Sequence, residues 1–237
     1  IVGHNNLEKS LSSAFSILEK EESLITIGIK PTYPSTGYGY IQYERNSNSG
    51  PGYHVKTFAE KPHKTLAKRF IKSGDFLWNA GIFVWKVNTL LSSLEKHMPD
   101  LHDAMKKIGK CLAESSSFDD IWESIVPQSI DYGLMEKANN IFVVPADFEW
   151  NDLGSWDALY DIFSKKDKDN VVRGLGAVMG GENNFIQSND RFTAIIGADN
   201  LVVVNTDDAT LVVPRDKVEK VKDLVNWLDK KGHKDLL

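Results

Sequence analysis

The sequence predicts an α/β domain followed by a small β-rich domain that a helix closes. Helical and strand-like patterns alternate from the start of the chain to about residue 163. After a lysine-rich stretch at residues 164–168, short β-rich pieces separated by Gly, Asn and Asp take their place. With 237 residues, 41% of them hydrophobic, the chain can bury the cores that such domains need. We therefore predict domains at residues 1–163 and 164–237.

The first domain opens with a predicted helix, a strand and a hairpin. Apolar residues at three- and four-residue spacing predict an amphipathic helix over residues 7–22, and the run LITIGI predicts a strand over residues 24–29. A loop with prolines and closely spaced glycines follows. The hairpin strands begin at residue 40 and end at residue 58, with the turn at residues 49–52.

The rest of the first domain continues the alternation that is typical of α/β proteins. In order, the patterns predict a helix at residues 65–73, an apolar strand at 81–87, two helices within 87–105, short helices at 121–125 and 132–138, and a strand at 141–144. Pro99 marks the start of the second longer helix, where its missing N–H needs no partner. An acidic, aromatic loop occupies residues 147–156.

The second domain is predicted from short β-rich strings between residues 171 and 214, namely VVRGLGAVMGG, NFIQS, RFTAIIGAD, NLVVVNT and TLVVP. A closing helix at residues 216–231 follows from an apolar face formed by Val218, Val221, Leu224, Val225 and Leu228. The string GLGAVMGG lacks the lysine and the strand-to-helix context of a phosphate-binding loop, so we assign it no ligand.

Composition excludes several classes of function. Lys and Arg total 28 against 33 Asp and Glu, and the formal charge of −5 provides no global positive field for nucleic acid or an anionic membrane. The single cysteine, Cys111, allows no intramolecular disulfide and no cysteine-based zinc site, which predicts a reducing compartment such as the cytoplasm. No apolar run approaches the roughly 20 residues that span a bilayer. The histidines show no metal-ligand spacing.

Two strings in the first half of the chain carry groups suited to a sugar phosphate. TGYGYI, residues 36–41, places two glycines between tyrosines, so that backbone groups can approach a ligand and aromatic faces can pack on a sugar ring. FAEKP, residues 58–62, places a carboxylate for hydroxyls beside an ammonium for a phosphate. Each string also fits a simpler role, a strand-opening turn for the first and a solvated ion pair for the second.

Two further strings add an amide and a carboxylate. WNAGIF, residues 78–83, places Asn79 just before an apolar strand, where its amide can bind sugar hydroxyls or simply belong to a turn. WNDLGSW, residues 150–156, places Asp152 in an aromatic loop, and a carboxylate there suits Mg²⁺, which fills its other positions with phosphate oxygens and water. The alternative for this loop is a helix N-cap by Asp152 or Ser155.

In this order and spacing the four strings, with GIKPTYPSTGYGYI and SIDYGLMEK, resemble the nucleotidyltransferase family that makes nucleotide sugars, and in particular its mannose-1-phosphate guanylyltransferase branch. The resemblance covers nearly the whole chain and is most specific between residues 28 and 156. It implies a Rossmann-like mixed sheet flanked by helices, with a small C-terminal β-rich domain. It also implies transfer of a guanylyl group from GTP to mannose 1-phosphate, giving GDP-mannose and pyrophosphate, with Mg²⁺ as the cofactor.

The resemblance also implies the residues of a site. Its sugar-phosphate pocket comprises Gly37, Tyr38, Glu60, Lys61, Asn79 and Asp131. In that pocket Glu60 binds mannose hydroxyls, the catalytic Lys61 holds the phosphate, Asn79 contacts the sugar and Asp131 supports the pocket. Asp152 is implied as a catalytic residue and as one of two carboxylates on the metal.

Two parts of the family pattern are absent from the sequence. Residues 1–24 contain no glycine-rich, arginine-containing loop for the nucleotide, and no partner carboxylate for Asp152 precedes the first predicted helix. We therefore expect a fragment without the nucleotide-binding start, with no significant transferase activity by itself. Sheet edges left exposed by missing strands should favour homo-oligomers.

Two alternatives stay open at this point. The first keeps the fold and changes the sugar, since glucose-1-phosphate transferases use similar EKP and glycine-loop strings; GIKPTYPSTGYGYI and WNDLGSW favour mannose. The second is a non-catalytic protein that binds a sugar phosphate.

Overall fold

The structure, a computed structural model, describes residues 4–48, 50–154, 156–164 and 168–236. The predicted turn residue Ser49, the alternative cap Ser155 and residues 165–167 of the lysine-rich stretch lie outside the described residues. The chain divides into two compact units, Ile1–Trp150 and Asn151–Leu237. Within the ranges given above, no helix has the length and apolar character needed to cross a membrane.

The first unit is built on a five-stranded mixed sheet. Its strands are β1 (Leu24–Ile29), β2 (Tyr40–Asn48), β3 (Tyr53–Ala59), β4 (Phe76–Trp85) and β5 (Ile141–Ala146). Their order is β1-β4-β2-β3-β5, and the sheet closes on itself because β5 pairs with both β3 and β1. The β1–β5 pair is parallel, and the other pairs are antiparallel. The pattern of alternating elements predicted an α/β domain and the resemblance implied a mixed sheet, but neither predicted this closure.

Helices cover the sheet and complete two cores. They are α1 (His4–Leu18), α2 (Lys64–Ser73), α3 (Val87–His97), α4 (Pro99–Ala113) and α5 (Asp119–Ser124), followed by a π-helical turn (Asp131–Met135). Ile17 of α1 and Ala67 of α2 belong to one buried cluster, whereas Leu94 of α3 and Leu134 of the π turn belong to another. The predicted fold class is therefore confirmed for this unit.

The largest error in the predicted elements concerns β4. A strand was expected from residue 81, with Asn79 ahead of it, but β4 begins at Phe76 and Asn79 pairs with Gly28 inside the sheet. The apolar pattern failed here because Asn79 and Gly81 interrupt it at a β-bulge. The strand ends at Trp85, and the predicted last residue, Val87, begins α3.

The second unit is β-rich, as predicted. Its elements are α6 (Trp156–Phe163), β6 (Val171–Met179), β7 (Phe185–Ile196), β8 (Leu201–Asn205), β9 (Thr210–Pro214), a 3₁₀-helix (Arg215–Lys220), α7 (Val221–Lys231) and a short 3₁₀-helix (Lys234–Leu236). The four strands lie in the order β6-β7-β8-β9, with the first two pairs parallel and the last antiparallel. The single closing helix predicted over residues 216–231 is thus a 3₁₀-helix followed by α7.

The division between the units falls before α6, whereas the predicted domain boundary falls after it. Tyr160 of α6 is buried in one cluster with Val171, Phe185 and Val202, so α6 packs on the C-terminal sheet. The sequence patterns did not predict α6 and assigned Trp156, its first residue, to the preceding loop.

Candidate functional site

A bulge in β4 positions Asn79. In the pairing of β1 with β4, Thr26 lies opposite Phe83 and Gly28 lies opposite Asn79, so β4 carries extra residues between these two pairs. One of them is Gly81, whose φ of +67° lies in the left-handed region that glycine adopts without strain. The bulge turns the Asn79 side chain out of the regular strand pattern.

The Asn79 amide makes three side-chain hydrogen bonds. Its Oδ1 accepts from Thr26 Oγ1 at 3.0 Å and from the Gly81 N–H at 3.1 Å, and its Nδ2 donates to Asp131 Oδ1 at 3.0 Å. Its backbone N–H donates to the carbonyl oxygen of Gly39 at 2.8 Å. Because Gly81 N–H can only donate and the carboxylate accepts, these bonds fix which way the amide faces. Among the described residues the second Nδ2 hydrogen has no acceptor.

Asp131 reaches Asn79 from the first residue of the π turn. The backbone N–H of Glu136 donates to the Asp131 carbonyl oxygen at 2.9 Å, a bond that spans five residues. Gly133 allows this turn to pack closely, since a Cβ there would lie 2.5 Å from Met98 Sδ. Ser129 Oγ donates to Asp131 Oδ2 at 3.3 Å. Both oxygens of the Asp131 carboxylate thus have donors, and the supporting role implied for Asp131 stays a prediction.

Glu60 lies against the backbone of Gly39. Its Oε2 occupies the space that a Cβ at position 39 would need, and the same Cβ would lie 3.3 Å from Asn79 Cβ. The Glu60 side chain is 12% exposed. The Glu60 carboxylate and the Asn79 side chain therefore both lie next to the backbone of Gly39, just before β2 begins.

Lys61 presents a cation next to this carboxylate. Its Nζ lies 3.2 Å from Glu60 Oε1, and 62% of its side chain is exposed. The hydrogen bond to Glu60 and the Glu60 charge raise the pKa of Lys61, and the nearby Tyr132 and Asp131 raise it further. The Lys61 backbone has a φ of +46°, which is costly for a residue with a Cβ. An ammonium held in this way stays charged at neutral pH and is open to an anion.

The predicted pocket residues Gly37 and Tyr38 lie in the loop between β1 and β2. The Tyr40 hydroxyl donates to the Ser35 carbonyl oxygen at 3.0 Å, and Ser35 Oγ accepts from the Gly37 N–H at 3.2 Å. Tyr40 is completely buried, and this burial raises the pKa of its phenol. A buried anchor at Ser35 therefore fixes the loop that carries the glycines.

The ring of Tyr38 belongs to an aromatic cluster. It makes edge-to-face contacts with Trp78 and Trp150, with ring centroids 5.0 and 5.1 Å apart, and Tyr33 contacts Trp78 at 4.9 Å. Trp78 is a member of the buried cluster that contains Ile17 and Ala67, and Tyr38 and Trp150 pack against it. Aromatic packing thus places Tyr38, whereas hydrogen bonds and charge place Glu60, Lys61, Asn79 and Asp131.

Asp152 lies in the second unit, in a loop ordered by its own side chains. Asp152 Oδ1 accepts from the Gly154 N–H at 3.1 Å, and Asn151 Oδ1 accepts from the Leu153 N–H at 2.8 Å. Among the described residues, no three His, Cys, Asp or Glu side chains converge as a metal site. A carboxylate oxygen suits Mg²⁺ as one ligand, with phosphate oxygens and water as the others, so the donor chemistry fits a phosphate-bound metal. The metal role of Asp152 stays a prediction.

Sequence reasoning missed Thr26, which bonds to Asn79. Thr26 is the polar residue within the apolar run LITIGI, and a buried hydroxyl needs a partner. That interruption was the available signal. Ser129, whose hydroxyl donates to Asp131, is the first residue of the string SIDYGLMEK and lies two residues before Asp131, but it received no role.

Comparison with known proteins gives the following matches. Residues 1–169 match the family model described as nucleotidyl transferase, and residues 178–228 match that of the MannoseP isomerase/GMP-like beta-helix domain. The predicted domain boundary at residues 163 and 164 falls inside the first match and stays a prediction.

Several relatives are similar over most of this chain. A mannose-1-phosphate guanylyltransferase of Klebsiella pneumoniae is 37% identical over 88% of this chain and 45% of its own length. The alginate biosynthesis protein AlgA of Pseudomonas fluorescens is 35% identical over 97% of this chain and 48% of its own. The chain thus spans about half the length of the curated relatives it matches.

A solved structure is similar in fold as well as in sequence. It is named mannose-1-phosphate geranyltransferase, from Thermus thermophilus, and is 31% identical with a TM-score of 0.83. The match covers 95% of this chain and 65% of that chain.

Proposed function

We propose that this chain, which belongs to the nucleotidyl transferase family, binds the sugar phosphate in a guanylyl transfer. The reaction joins mannose 1-phosphate to the guanylyl group of GTP and gives GDP-mannose and pyrophosphate. The names of the similar proteins support the choice of sugar and nucleotide. The observation that carries the proposal is that Glu60, an acceptor, contacts the Lys61 cation and lies, with the donor residue Asn79, next to the backbone of Gly39.

This arrangement suits a ligand with hydroxyls at one end and a phosphate at the other. Glu60 accepts hydrogen bonds from sugar hydroxyls, and the remaining Nδ2 hydrogen of Asn79 donates to one. Lys61 binds the phosphate through a charge-assisted hydrogen bond. Held in this way, a phosphate oxygen of the sugar phosphate attacks the α-phosphorus of GTP in line with the departing pyrophosphate. The residues of this site act by binding and orientation, and no covalent intermediate with the protein is required.

Mg²⁺ is part of the proposal, with Asp152 as one carboxylate ligand. When bound, the ion would neutralise charge on the phosphates during the transfer. The absence of significant activity in this chain alone, its cytoplasmic location and its self-association stay predictions.

Calorimetric titration of mannose 1-phosphate, with Mg²⁺ present, tests the proposal. We expect saturable binding that weakens roughly tenfold or more in Glu60→Gln and Lys61→Ala, because a hydrogen bond to a charged group contributes about 1.5–3 kcal/mol. Lys106→Ala is the matched control, since Lys106 has the same 62% exposure and pairs with Glu95 at 3.9 Å. This control should bind as the unchanged chain does.

The same titration separates the alternatives. Tighter binding of glucose 1-phosphate than of mannose 1-phosphate would favour the first alternative, in which the fold is the same and the substrate sugar is glucose. Equal losses in Lys106→Ala and Lys61→Ala would count against this site. GDP-mannose formation by the purified chain, measured with GTP, would contradict the predicted lack of activity.

A further inference from the structure

Thr26 is a polar residue in the middle of a buried strand. All six residues of β1 are buried, and the Thr26 side chain is inaccessible to solvent. A hydroxyl removed from water destabilises a folded chain unless it finds a hydrogen-bonding partner. The partner is Asn79, whose Oδ1 lies 3.0 Å from Thr26 Oγ1. The hydroxyl is therefore directed at a side chain that the proposed function places against the ligand.

The strand that carries Thr26 is held on both sides. Thr26 pairs with Phe83 of β4 and, through the parallel pairing, with Val143 of β5. Asn79, in contrast, lies at the bulge, next to residues whose pairing with β1 is shifted. The hydrogen bond from Thr26 thus connects the bulged part of β4 to β1.

The contact adds a second donor to one oxygen. Turning the Asn79 amide over would bring its NH₂ group against the Gly81 N–H and its oxygen against the Asp131 carboxylate, and both contacts are repulsive. Gly81 and Asp131 therefore select the face of the amide. With Thr26 as a further donor, Oδ1 is held from two directions and the tilt of the amide plane is fixed. Two donors on Oδ1 also polarise the Nδ2–H bonds.

We infer that Thr26 is a positioning residue, which acts through Asn79 to hold the second Nδ2 hydrogen toward a hydroxyl of the bound sugar phosphate. The inference rests on the proposed function. It distinguishes between ligands, because the proposal places Asn79 at the sugar end of the ligand and Lys61 at the phosphate end. Inorganic phosphate lacks the sugar and binds through Lys61.

The test uses two variants of the whole chain that separate the hydroxyl from the shape. Thr26→Val keeps the branched shape and removes the hydroxyl, whereas Thr26→Ser keeps the hydroxyl and removes a methyl group. We expect Thr26→Val to bind mannose 1-phosphate about 3- to 10-fold more weakly, as loss of one hydrogen bond implies. Thr26→Ser should bind within about twofold of the unchanged chain, yet unfold at a lower temperature than Thr26→Val because of its cavity. Inorganic phosphate, whose binding is followed by phosphorus NMR, should bind equally to the unchanged chain, Thr26→Val and Thr26→Ser.

A merely structural role would give a different order. If affinity followed thermal stability, with Thr26→Ser the weaker binder, the inference would be overturned. Equal binding of mannose 1-phosphate by Thr26→Val and the unchanged chain would overturn it too and leave the proposed function standing. Absence of binding by the unchanged chain would overturn the proposed function together with this inference.

Discussion

The Glu60 carboxylate lies against the backbone of Gly39, in the space where any other residue at position 39 would carry its Cβ. Gly39 does not have a positive φ, so its backbone is one that other residues adopt. The requirement for glycine at this position is therefore steric: a Cβ would displace the end of the Glu60 side chain and would also lie 3.3 Å from Asn79 Cβ. Alanine can be accommodated if the flexible end of Glu60 moves away and Asn79 shifts slightly, which separates folding from ligand binding.

Gly39→Ala should fold and lose affinity for mannose 1-phosphate by about tenfold or more, since the displaced carboxylate no longer meets the sugar hydroxyls. Titration calorimetry measures the affinity, and thermal unfolding checks the fold. Gly109→Ala is the control, because a Cβ at that position of α4 meets nothing within 4 Å. It should leave affinity unchanged and stabilise the chain by about 0.5–1 kcal/mol. Full affinity in Gly39→Ala would contradict the role of Glu60.

Lys61 combines a costly backbone with the predicted phosphate contact. Its φ of +46° should cost about 1 kcal/mol for a residue with a Cβ, and glycine removes that cost. We therefore expect Lys61→Gly to be more stable than Lys61→Ala, while both lose affinity for mannose 1-phosphate and for inorganic phosphate. Urea unfolding of the two variants, compared with each other, measures the backbone effect. If Lys61→Ala were equally stable, the backbone at position 61 would carry no strain.

His97 makes stability depend on pH. It is the last residue of α3, and its burial, together with the positive charges of Lys96 and Lys137, lowers its pKa. A histidine whose pKa is depressed on folding contributes its full stability above its unfolded pKa of about 6.5, and that stability is lost as the pH falls below this value. The folded chain should therefore lose stability as the pH falls from about 7 toward the lowered pKa of His97.

The variant His97→Gln isolates this effect. Its unfolding free energy, measured by urea denaturation, should change less over the same pH range than that of the unchanged chain. Lys96→Gln should show an intermediate pH dependence, because it removes one of the two positive charges. Identical pH profiles for His97→Gln and the unchanged chain would exclude His97 as the source.

Much of the fold and part of the site could be predicted from the sequence because the signals are local. Short β-rich runs predicted β1 and the first four residues of β5, and Pro99 correctly marked the start of α4. The bulge at Asn79 was missed because an asparagine and a glycine close together in the sequence are also typical of a turn. A short helix was predicted at residues 132–138, but not the π geometry of the turn at Asp131–Met135, where Gly133 packs closely on Met98, a residue distant in sequence.

The site shows the same limit. The motif strings singled out Glu60, Asn79 and Asp131, which the structure brings together within the first unit. Thr26 was not singled out, since threonine is common in strands and its hydroxyl has meaning only beside Asn79. For Asp152 the sequence supplied a residue type and a motif, and the metal role predicted for it would depend on a metal and a nucleotide that no local pattern can place.

The second unit depends on one buried amide, that of Asn184, which is completely inaccessible to solvent. Its Oδ1 accepts from the Leu201 N–H at 2.9 Å, and its Nδ2 donates to the Ala198 carbonyl oxygen at 2.8 Å and to Asn170 Oδ1 at 3.1 Å. The side chain thus connects the start of β7 to the start of β8. The amide oxygen and both amide hydrogens of Asn184 therefore have partners, and without them these buried groups would be unsatisfied.

Asn184→Ala should therefore destabilise the second unit by about 3 kcal/mol or more, since each buried group left without a partner costs about 1–3 kcal/mol. Urea denaturation followed by circular dichroism measures the loss. Asn189→Ala, at an exposed position where the side chain accepts only from Gln187, is the control and should change stability by less than about 0.5 kcal/mol. The first unit has its own cores, so Asn184→Ala should keep mannose 1-phosphate binding at temperatures where the second unit is unfolded. Loss of binding in step with unfolding of the second unit would show instead that the sugar-phosphate site needs both units.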